Sequence, residues 1–345
     1  MIFVTFLFAV IGAFTAKKLH LPVPYLLGAM LATGLFNIIT CQAAMPSYTS
    51  GIAQIINGTV VGTMLSRDDL KVLRNIFGAS ILTVLLLLSY GIALGYIFSL
   101  TTPYDCMTVL FSCAPGGLVD MTLVSIDFGA DISIVAIMQL SRVLFTLTVL
   151  PFVFRHVLGK LDAKHCISLK HLPQEQAKSS SSFRIDYFLF TALIGLIGGV
   201  LGHLSHFPAG KMLLAAIFSG IFSIVYQKSC MPIKARRIAQ LLAGTLIGTS
   251  IDANTLLEIK FLLLPIIFLS IGYLLMDFLL TYLCSKFFHI DIVSSLFACA
   301  PGGISDMALI AMEFGANMLT ILAIQTARLF GVILLYPIIV KILFT

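Results

Sequence analysis

The sequence predicts an all-α polytopic membrane protein built from two inverted-topology repeats, and three observations lead to this fold class. The 345 residues are 59% hydrophobic and only 10% charged, whereas a soluble protein carries about 25% charged residues. Apolar runs close to the ~20 residues needed to span a bilayer recur along the chain. The two halves of the chain also align without a gap, so that Ala114 corresponds to Ala300 and Arg142 to Arg328. We therefore expect the lipid bilayer to surround most of the protein.

The internal repeat is clearest around a glycine-rich motif. Ala114–Met121 reads APGGLVDM, and the corresponding stretch of the second half, Ala300–Met307, reads APGGISDM. Over the thirty positions that begin at Cys113, thirteen residues are identical in the two copies. A repeat of this length and quality predicts that one structural unit occurs twice.

The constant offset between the copies divides the chain into a first membrane repeat, a hydrophilic cytoplasmic linker and a second membrane repeat. The predicted bounds are residues 1–159, 160–186 and 187–345. The first apolar segment could be taken for a secretory signal. Its counterpart, Tyr187–Leu204, lies in the middle of the chain, so we expect the first segment to be retained as a transmembrane helix.

Each repeat offers five ordinary apolar spans and one segment that Pro-Gly-Gly interrupts. Pro115 falls inside the fifth segment of the first repeat and Pro301 inside its counterpart, so we expect both segments to break there. Either the broken segment is re-entrant, or it crosses fully while another segment is half-inserted. The apolar segments of the first repeat are 2–16, 22–40, 49–66, 75–100, 104–128 and 131–158.

Lysine and arginine residues orient these spans. Basic residues follow the first and third spans, at Lys17–Lys18 and Arg67–Arg74, and recur in the linker. The loops after the second and fourth spans carry none. With five crossings in each repeat, the positive-inside rule places the linker in the cytoplasm and both termini outside, and the second repeat is then inverted.

The two interrupted segments predict a binding site between the repeats. Non-helical backbone is tolerated at membrane depth only where it is buried in protein or lines a cavity. Glycine allows a ligand to approach the backbone, and a helix that begins after the break directs free N–H groups towards it. The alternative is a kink between packed helices. The predicted substrate-binding glycines are Gly116, Gly117, Gly302 and Gly303.

Asp120 and Asp306 each follow the last glycine of the motif by three positions. A carboxylate in the hydrocarbon region costs about 2.5–3.5 kcal/mol on insertion scales, so it usually faces a cavity or a cation. We expect the two aspartates to bind a coupling ion or to carry a proton. The alternative is that they cap the backbone N–H groups at the start of a half-helix.

Arg142 and Arg328 lie inside an apolar segment, and Gln139 and Gln325 precede them by three positions on the same helix face. A guanidinium in this environment needs an anion, either a substrate or a protein carboxylate. We predict that these four residues bind substrate. In the resting state we expect the arginines to pair with acidic side chains, and such a pair can open to admit an anion.

Two further features accompany the repeat. Gly58–Gly62 and Gly244–Gly248 have the GxxxG spacing, which predicts close helix packing. Asp277 breaks the symmetry, because its counterpart is Gly91. It is either a coupling-ion ligand or a polar helix-packing residue.

The duplicated pattern of APGG, Asp-Met, Phe-Gly-Ala, Gln and Arg resembles the membrane AbrB-type family over nearly the whole chain. Members carry labels such as ammonia monooxygenase or AbrB family transcriptional regulator. The resemblance implies a multi-pass protein of the bacterial inner membrane, a role in regulating gene expression, and a fold similar to secondary transporters with broken helices.

The residues argue against both labels in their literal sense. A monooxygenase would need a clustered metal site, and a DNA-binding regulator would need a soluble basic domain. We therefore expect no enzyme activity, no cofactor, no metal and no direct nucleic-acid partner.

Our leading hypothesis is a secondary transporter of a small, anionic solute, coupled to H⁺ or Na⁺. In it, the helices that carry the two breaks move against a scaffold formed by the other helices. The alternative is a membrane-embedded regulator or sensor that affects gene expression indirectly. We also expect a homodimer through the scaffold.

Overall fold

The computed structural model of the protein describes most of both predicted repeats, and within this part the fold is entirely helical. The predicted linker lies largely outside the described residues, as do Gly303 and Asp306. The described residues are 1–19, 21, 23–65, 67, 76–153, 185–207, 209–226, 231–302, 307, 311 and 314–344.

Thirteen helices account for the described chain. The first seven are α1 (Ile2–Lys18), α2 (Pro24–Thr40), α3 (Tyr48–Thr63), α4 (Phe77–Thr101), α5 (Cys106–Cys113), α6 (Leu118–Ile126) and α7 (Ile132–Val153). The other six are α8 (Ile185–Leu204), α9 (Gly210–Tyr226), α10 (Ile233–Ser250), α11 (Ala253–Phe288), α12 (Ile292–Cys299) and α13 (Met318–Phe344). The six predicted segments of the first repeat coincide with α1, α2, α3, α4, the α5–α6 pair and α7.

Five of these helices contain stretches long and apolar enough to cross a membrane. Large apolar side chains such as Phe3 and Leu264 are exposed on the outer surface, where lipid rather than water would solvate them. These are the features of a membrane protein. The number of crossings and the inversion of the second repeat stay predictions. The five stretches are Phe77–Thr101, Ile132–Leu150, Asp186–Leu204, Lys260–Phe288 and Met318–Phe344.

The helices form two groups by their contacts. We call α1–α3 with α8–α10 the scaffold. In it, α1 packs on α2 and α8 packs on α9, and the two halves join where α2 packs on α10 and α3 packs on α9. We call α4–α7 with α11–α13 the break group, in which α5 packs on α4 and α7, and α12 packs on α11 and α13. The two groups meet where α6 contacts α3 and α10 and where α7 contacts α10. The pairings within the first half thus recur between the corresponding helices of the second.

Glycines permit the close contacts between the halves of the scaffold. A side chain at Gly58 would overlap the carbonyl oxygen of Met212, and one at Gly244 would overlap the carbonyl oxygen of Leu26. Gly62 and Gly248, one turn later, are equally confined. This confirms that both GxxxG spacings serve close helix packing.

Both predicted breaks are confirmed. Helix α5 ends at Cys113, and the non-helical stretch before α6 has extended backbone at Ala114 and Gly117 and a bend at Pro115 and Gly116. Helix α12 ends at Cys299, where Ala300 is extended in the same way. The half-helices α5 and α12 also begin alike, because an aspartate at each N-cap accepts a hydrogen bond from the backbone N–H three positions later.

Candidate functional site

A cavity of about 100 Å³, the central cavity, lies where the two breaks meet at the contact between the scaffold and the break group. Pro115, Gly116 and Gly117 of the first break and Pro301 and Gly302 of the second all line it. The apolar part of its wall comes mainly from α3 and the break segments. Its polar side chains are Asn57 on α3, Asp120 on α6, Arg236 and Gln240 on α10, and Arg328 on α13.

Asp120 lies in the first turn of α6 and is 6% exposed. One of its carboxylate oxygens accepts a hydrogen bond of 2.5 Å from the Nδ2 of Asn57, which belongs to the scaffold. The Arg236 guanidinium interacts with the carboxylate electrostatically. Within the described residues Asp120 bonds to a side chain of another helix and not to a backbone N–H of α6. The carboxylate therefore lines the central cavity and does not cap α6, and its role in binding a coupling ion or a proton stays a prediction.

Three more contacts attach α6 to the scaffold. Gln54 on α3 donates from Nε2 to the carbonyl oxygen of Leu123 at 2.8 Å. At the end of α6, Asp127 accepts a hydrogen bond from the backbone N–H of Ala209 at 3.0 Å and pairs with Lys211 at 3.4 Å. With Asn57 and Asp120, these contacts fix α6 to both halves of the scaffold.

The arginine and glutamine that follow the first break hold its backbone from behind. Arg142 donates to the carbonyl oxygens of Ala114, at 2.5 Å, and Gly116, at 2.8 Å, and also to Gln139 Oε1. Gln139 Nε2 donates to the carbonyl oxygens of Phe111 and Ala114. The carbonyls of Phe111 and Ala114 lie at the C-terminal end of the half-helix α5 and carry its partial negative charge, so a cation is favourable here.

Two tyrosines from the second half complete this set of donors. The Tyr273 hydroxyl on α11 donates to the carbonyl oxygen of Cys113 at 2.5 Å. The Tyr336 hydroxyl on α13 donates to the carbonyl oxygen of Leu110 at 2.6 Å. The guanidinium of Arg142 also lies 5.1 Å from the centre of the Tyr273 ring, within the range of a cation–π contact.

The second break repeats the arginine contacts. Arg328 Nη1 donates to the carbonyl oxygens of Ala300, at 2.6 Å, and Cys299, at 3.2 Å. Its Nη2 donates to the carbonyl oxygen of Gly302 at 3.3 Å. Arg328 differs from Arg142 in lining the central cavity.

Among the described residues, the second break has fewer other donors than the first. Gln325 Nε2 donates to the carbonyl oxygen of Phe297 at 2.7 Å, but its Oε1 has no hydrogen-bond partner among the described residues. Leu87 and Leu150 are the counterparts, in the first repeat, of the two tyrosines that hold the first break. Both leucines are buried and apolar, so they donate nothing.

The resting ion pair that was expected with an acidic side chain is absent for Arg142 among the described residues, which include Asp120, Asp127 and Asp131. Arg142 Nη1 and Nη2 donate instead to carbonyl oxygens of the first break and to Gln139 Oε1, while its Nε has no hydrogen-bond partner among the described residues. The dipole at the C-terminal end of α5 supplies part of the negative charge that a carboxylate would have supplied. Of the predicted substrate-binding side chains, Arg328 faces the central cavity, whereas Gln139, Arg142 and Gln325 bond to the backbone of the breaks. The roles predicted for Gly303 and Asp306 fall outside the described residues.

Sequence reasoning missed several residues of the site. Asn57 and Arg236 have no counterpart of the same type, since Ala243 and Ser50 occupy those positions, and a search for repeated residues passes over them. Gln240 is the repeat counterpart of Gln54, and that signal could have identified it. No group of three His, Cys, Asp or Glu side chains within the described ranges is arranged to hold a metal ion.

The chain is similar to known proteins over most of its length. The family model described as transition state regulatory protein AbrB matches residues 1–158 and again residues 127–344. "Putative regulator AbrB" of Escherichia coli K12 is 29% identical over 334 residues, which cover 94% of this chain and 91% of the relative. "Uncharacterized protein YhjN" of Bacillus subtilis 168 is 26% identical over 298 residues, 83% of this chain and 76% of the relative. No solved structure matches the chain.

Proposed function

The chain belongs to the AbrB family, and we propose that it is a secondary transporter that moves a small solute through the central cavity. The observation that carries this proposal is the position of the cavity. Both broken segments line it, and it lies at the contact between two helix groups. Transporters built from repeats place their substrate and ion sites at such discontinuous helices. We infer a location in the bacterial inner membrane.

The arrangement of the helices supports a transport cycle in which the break group moves against the scaffold. The scaffold is joined through glycine contacts that leave its helices little freedom to separate. The break group carries both extended segments and meets the scaffold chiefly through α6. In this proposal the second repeat is inverted relative to the first, so that related movements open the cavity to either side.

Asp120 is the proposed coupling residue on the described side of the site. Its hydrogen bond to Asn57 joins the break group to the scaffold. Binding of H⁺ or Na⁺ to the carboxylate would change the charge that faces Asn57 and Arg236 and so alter the contact between the two groups. Asp306 is proposed to do the same at the second break.

The cavity favours a small, anionic solute. A single water needs about 10–15 Å³ of such space, so about 100 Å³ accommodates a solute of a few non-hydrogen atoms. Arg236 and Arg328 bring positive charge to the wall, and the N-terminus of α6 adds the positive end of a helix dipole. Gln139, Arg142 and Gln325 contribute by holding the break backbone in position.

A second candidate function is that of a membrane-embedded regulator or sensor that binds the solute without moving it. The name of the Escherichia coli relative, which describes a regulator, favours this alternative. Any effect on gene expression would then be indirect.

Flux measurements in proteoliposomes separate the two functions. We would measure proton or sodium movement driven by a panel of carboxylates and amino acids, for the wild-type protein, Asp120→Asn and Asp105→Asn. Asp105 caps α5 away from the cavity, and asparagine retains that capping ability, which makes it a matched control.

We expect one solute to drive ion flux in the wild-type protein and in Asp105→Asn but not in Asp120→Asn. If no solute drives flux but one of them raises the thermal stability of the protein, the regulator is the better description. Equal flux in all three proteins would overturn the role of Asp120.

A further inference from the structure

A buried carboxylate next to the second break has no role in the site described above. Asp277 lies on α11 and is 1% exposed. Neither of its carboxylate oxygens has a hydrogen-bond partner among the described residues. Its surroundings are a large apolar cluster that includes Met276 and Leu280. An ionised carboxylate without partners in such surroundings is costly, and the neutral acid avoids most of that cost.

The position of Asp277 is tied to the second break. Its counterpart in the first half is Gly91, where a side chain would collide with the Cys113 carbonyl oxygen, Pro115 and the Tyr273 hydroxyl. Beside the first break these two positions are the donor Tyr273 and Gly91. The equivalent positions beside the second break are Leu87 and Asp277. Asp277 therefore lies beside the second break, which has fewer donors among the described residues.

The charged and titratable groups around Asp277 come from three helices. Its carboxyl group interacts electrostatically with Arg328 on α13, with Cys299 on α12 and with Cys284 on α11 itself. The other helices packed against α11 include α4, which carries Tyr90, and α7, which carries Arg142. Tyr273 also lies on α11, one turn before Asp277.

This set of neighbours suits a proton and not a metal cation. Sodium and other hard cations take several oxygen ligands, whereas Asp277 has two thiols and a guanidinium near it. The positive charge of Arg328 would repel a bound cation. A proton needs no further ligand and removes the charge from the buried group.

We propose that Asp277 is a proton-binding site that controls the second break. The protonated acid leaves Arg328 on the carbonyl oxygens of Cys299, Ala300 and Gly302. When the proton passes to water, the carboxylate attracts the guanidinium and competes with those carbonyls for it. The backbone of the second break then loses donors while that of the first is unaffected. The use of this proton in transport rests on the proposed function, but the proton site does not.

Infrared spectroscopy of the purified full-length protein at neutral pH tests the site directly. A protonated buried carboxylic acid gives a C=O stretching band that shifts in D₂O. We expect this band in the wild-type protein and in Asp105→Asn, and its loss in Asp277→Asn. Asp277→Glu, which retains an acid, restores a band at a shifted frequency and shows that the loss does not come from misfolding.

Superimposable spectra of the wild-type protein and Asp277→Asn would overturn the proposal. The measurement needs no solute, so its failure is distinct from a failure of the transporter proposal, which would appear as an absence of flux in proteoliposomes.

Discussion

The two breaks share a motif but differ in what holds them. Around the first, donors come from α7, α11 and α13, so both halves of the chain contribute. Around the second, the donors among the described residues come from α13 alone. Two tyrosines of the first set correspond to leucines in the second, and a glycine corresponds to Asp277. Among the described residues, the duplicated sequence has thus produced one break with donors from three helices and one with donors from a single helix.

This difference gives the two breaks different expected roles. A break whose carbonyl oxygens are satisfied from three helices resists rearrangement, because any movement leaves several buried acceptors without partners. A break held by one arginine and one glutamine loses fewer bonds when it moves. We therefore expect the first break to act as the fixed reference and the second to change its contacts.

Removal of the arginines should give the largest loss of stability and so tests this comparison most directly. Arg142→Ala leaves two buried acceptors, the carbonyl oxygen of Gly116 and Oε1 of Gln139, without their donor. At about 1–3 kcal/mol for each buried acceptor, we expect a loss of roughly 2–6 kcal/mol in the free energy of unfolding, measured in detergent. Arg328→Ala should cost less, because two of its three bonds are long. An equal or larger loss in Arg328→Ala would refute the comparison.

The tyrosines provide a test of intermediate size. Tyr273→Phe keeps the ring but removes the donor to Cys113, and we expect it to cost about 1–3 kcal/mol of stability. Tyr336→Phe removes the donor to the carbonyl oxygen of Leu110 and should cost a similar amount of stability. Tyr282→Phe is the matched control, because that tyrosine is exposed and should change stability by less than about 0.5 kcal/mol. Comparable melting temperatures for all three variants would show that the tyrosine donors do not stabilise the first break.

The glutamines give the third test, and it includes the smallest expected loss of stability, that of Gln325→Leu. Gln139→Leu removes two donated bonds and the oxygen that Arg142 uses, which should cost about 2 kcal/mol or more. Gln325→Leu removes one donated bond but also an unpartnered buried oxygen. These two effects oppose each other, so we expect a loss of about 1 kcal/mol or less. Chemical unfolding of both variants in the same detergent checks the ranking, and a reversed order would contradict it.

Much of the site could be predicted because the repeat marks it. The constant offset between the copies located both breaks and the Asp120 that faces the cavity. Residues without a counterpart of the same type, such as Asn57 and Arg236, gave no such signal. Tyr273 and Tyr336 resemble ordinary apolar packing residues in sequence, and only the fold brings them to carbonyls in the other half of the chain.

The partner of Arg142 was predicted incorrectly for a physical reason. An isolated guanidinium in an apolar helix implies a nearby negative group, and a sequence shows only the carboxylates. The negative group here is the end of a half-helix, whose carbonyl charge is a property of the backbone. It becomes visible once the neighbouring break is known to lie against Arg142.

The scaffold contacts also bear on how such a chain arises. Helix α2 packs on α10 and α3 packs on α9, so each half covers the glycine surface of the other. A half-length ancestor would have exposed that surface unless a second copy covered it, and such a chain would have assembled as a pair. Fusion of two copies keeps the assembly and frees each copy to change alone. The tyrosines beside one break and the aspartate beside the other are the kind of divergence that fusion permits.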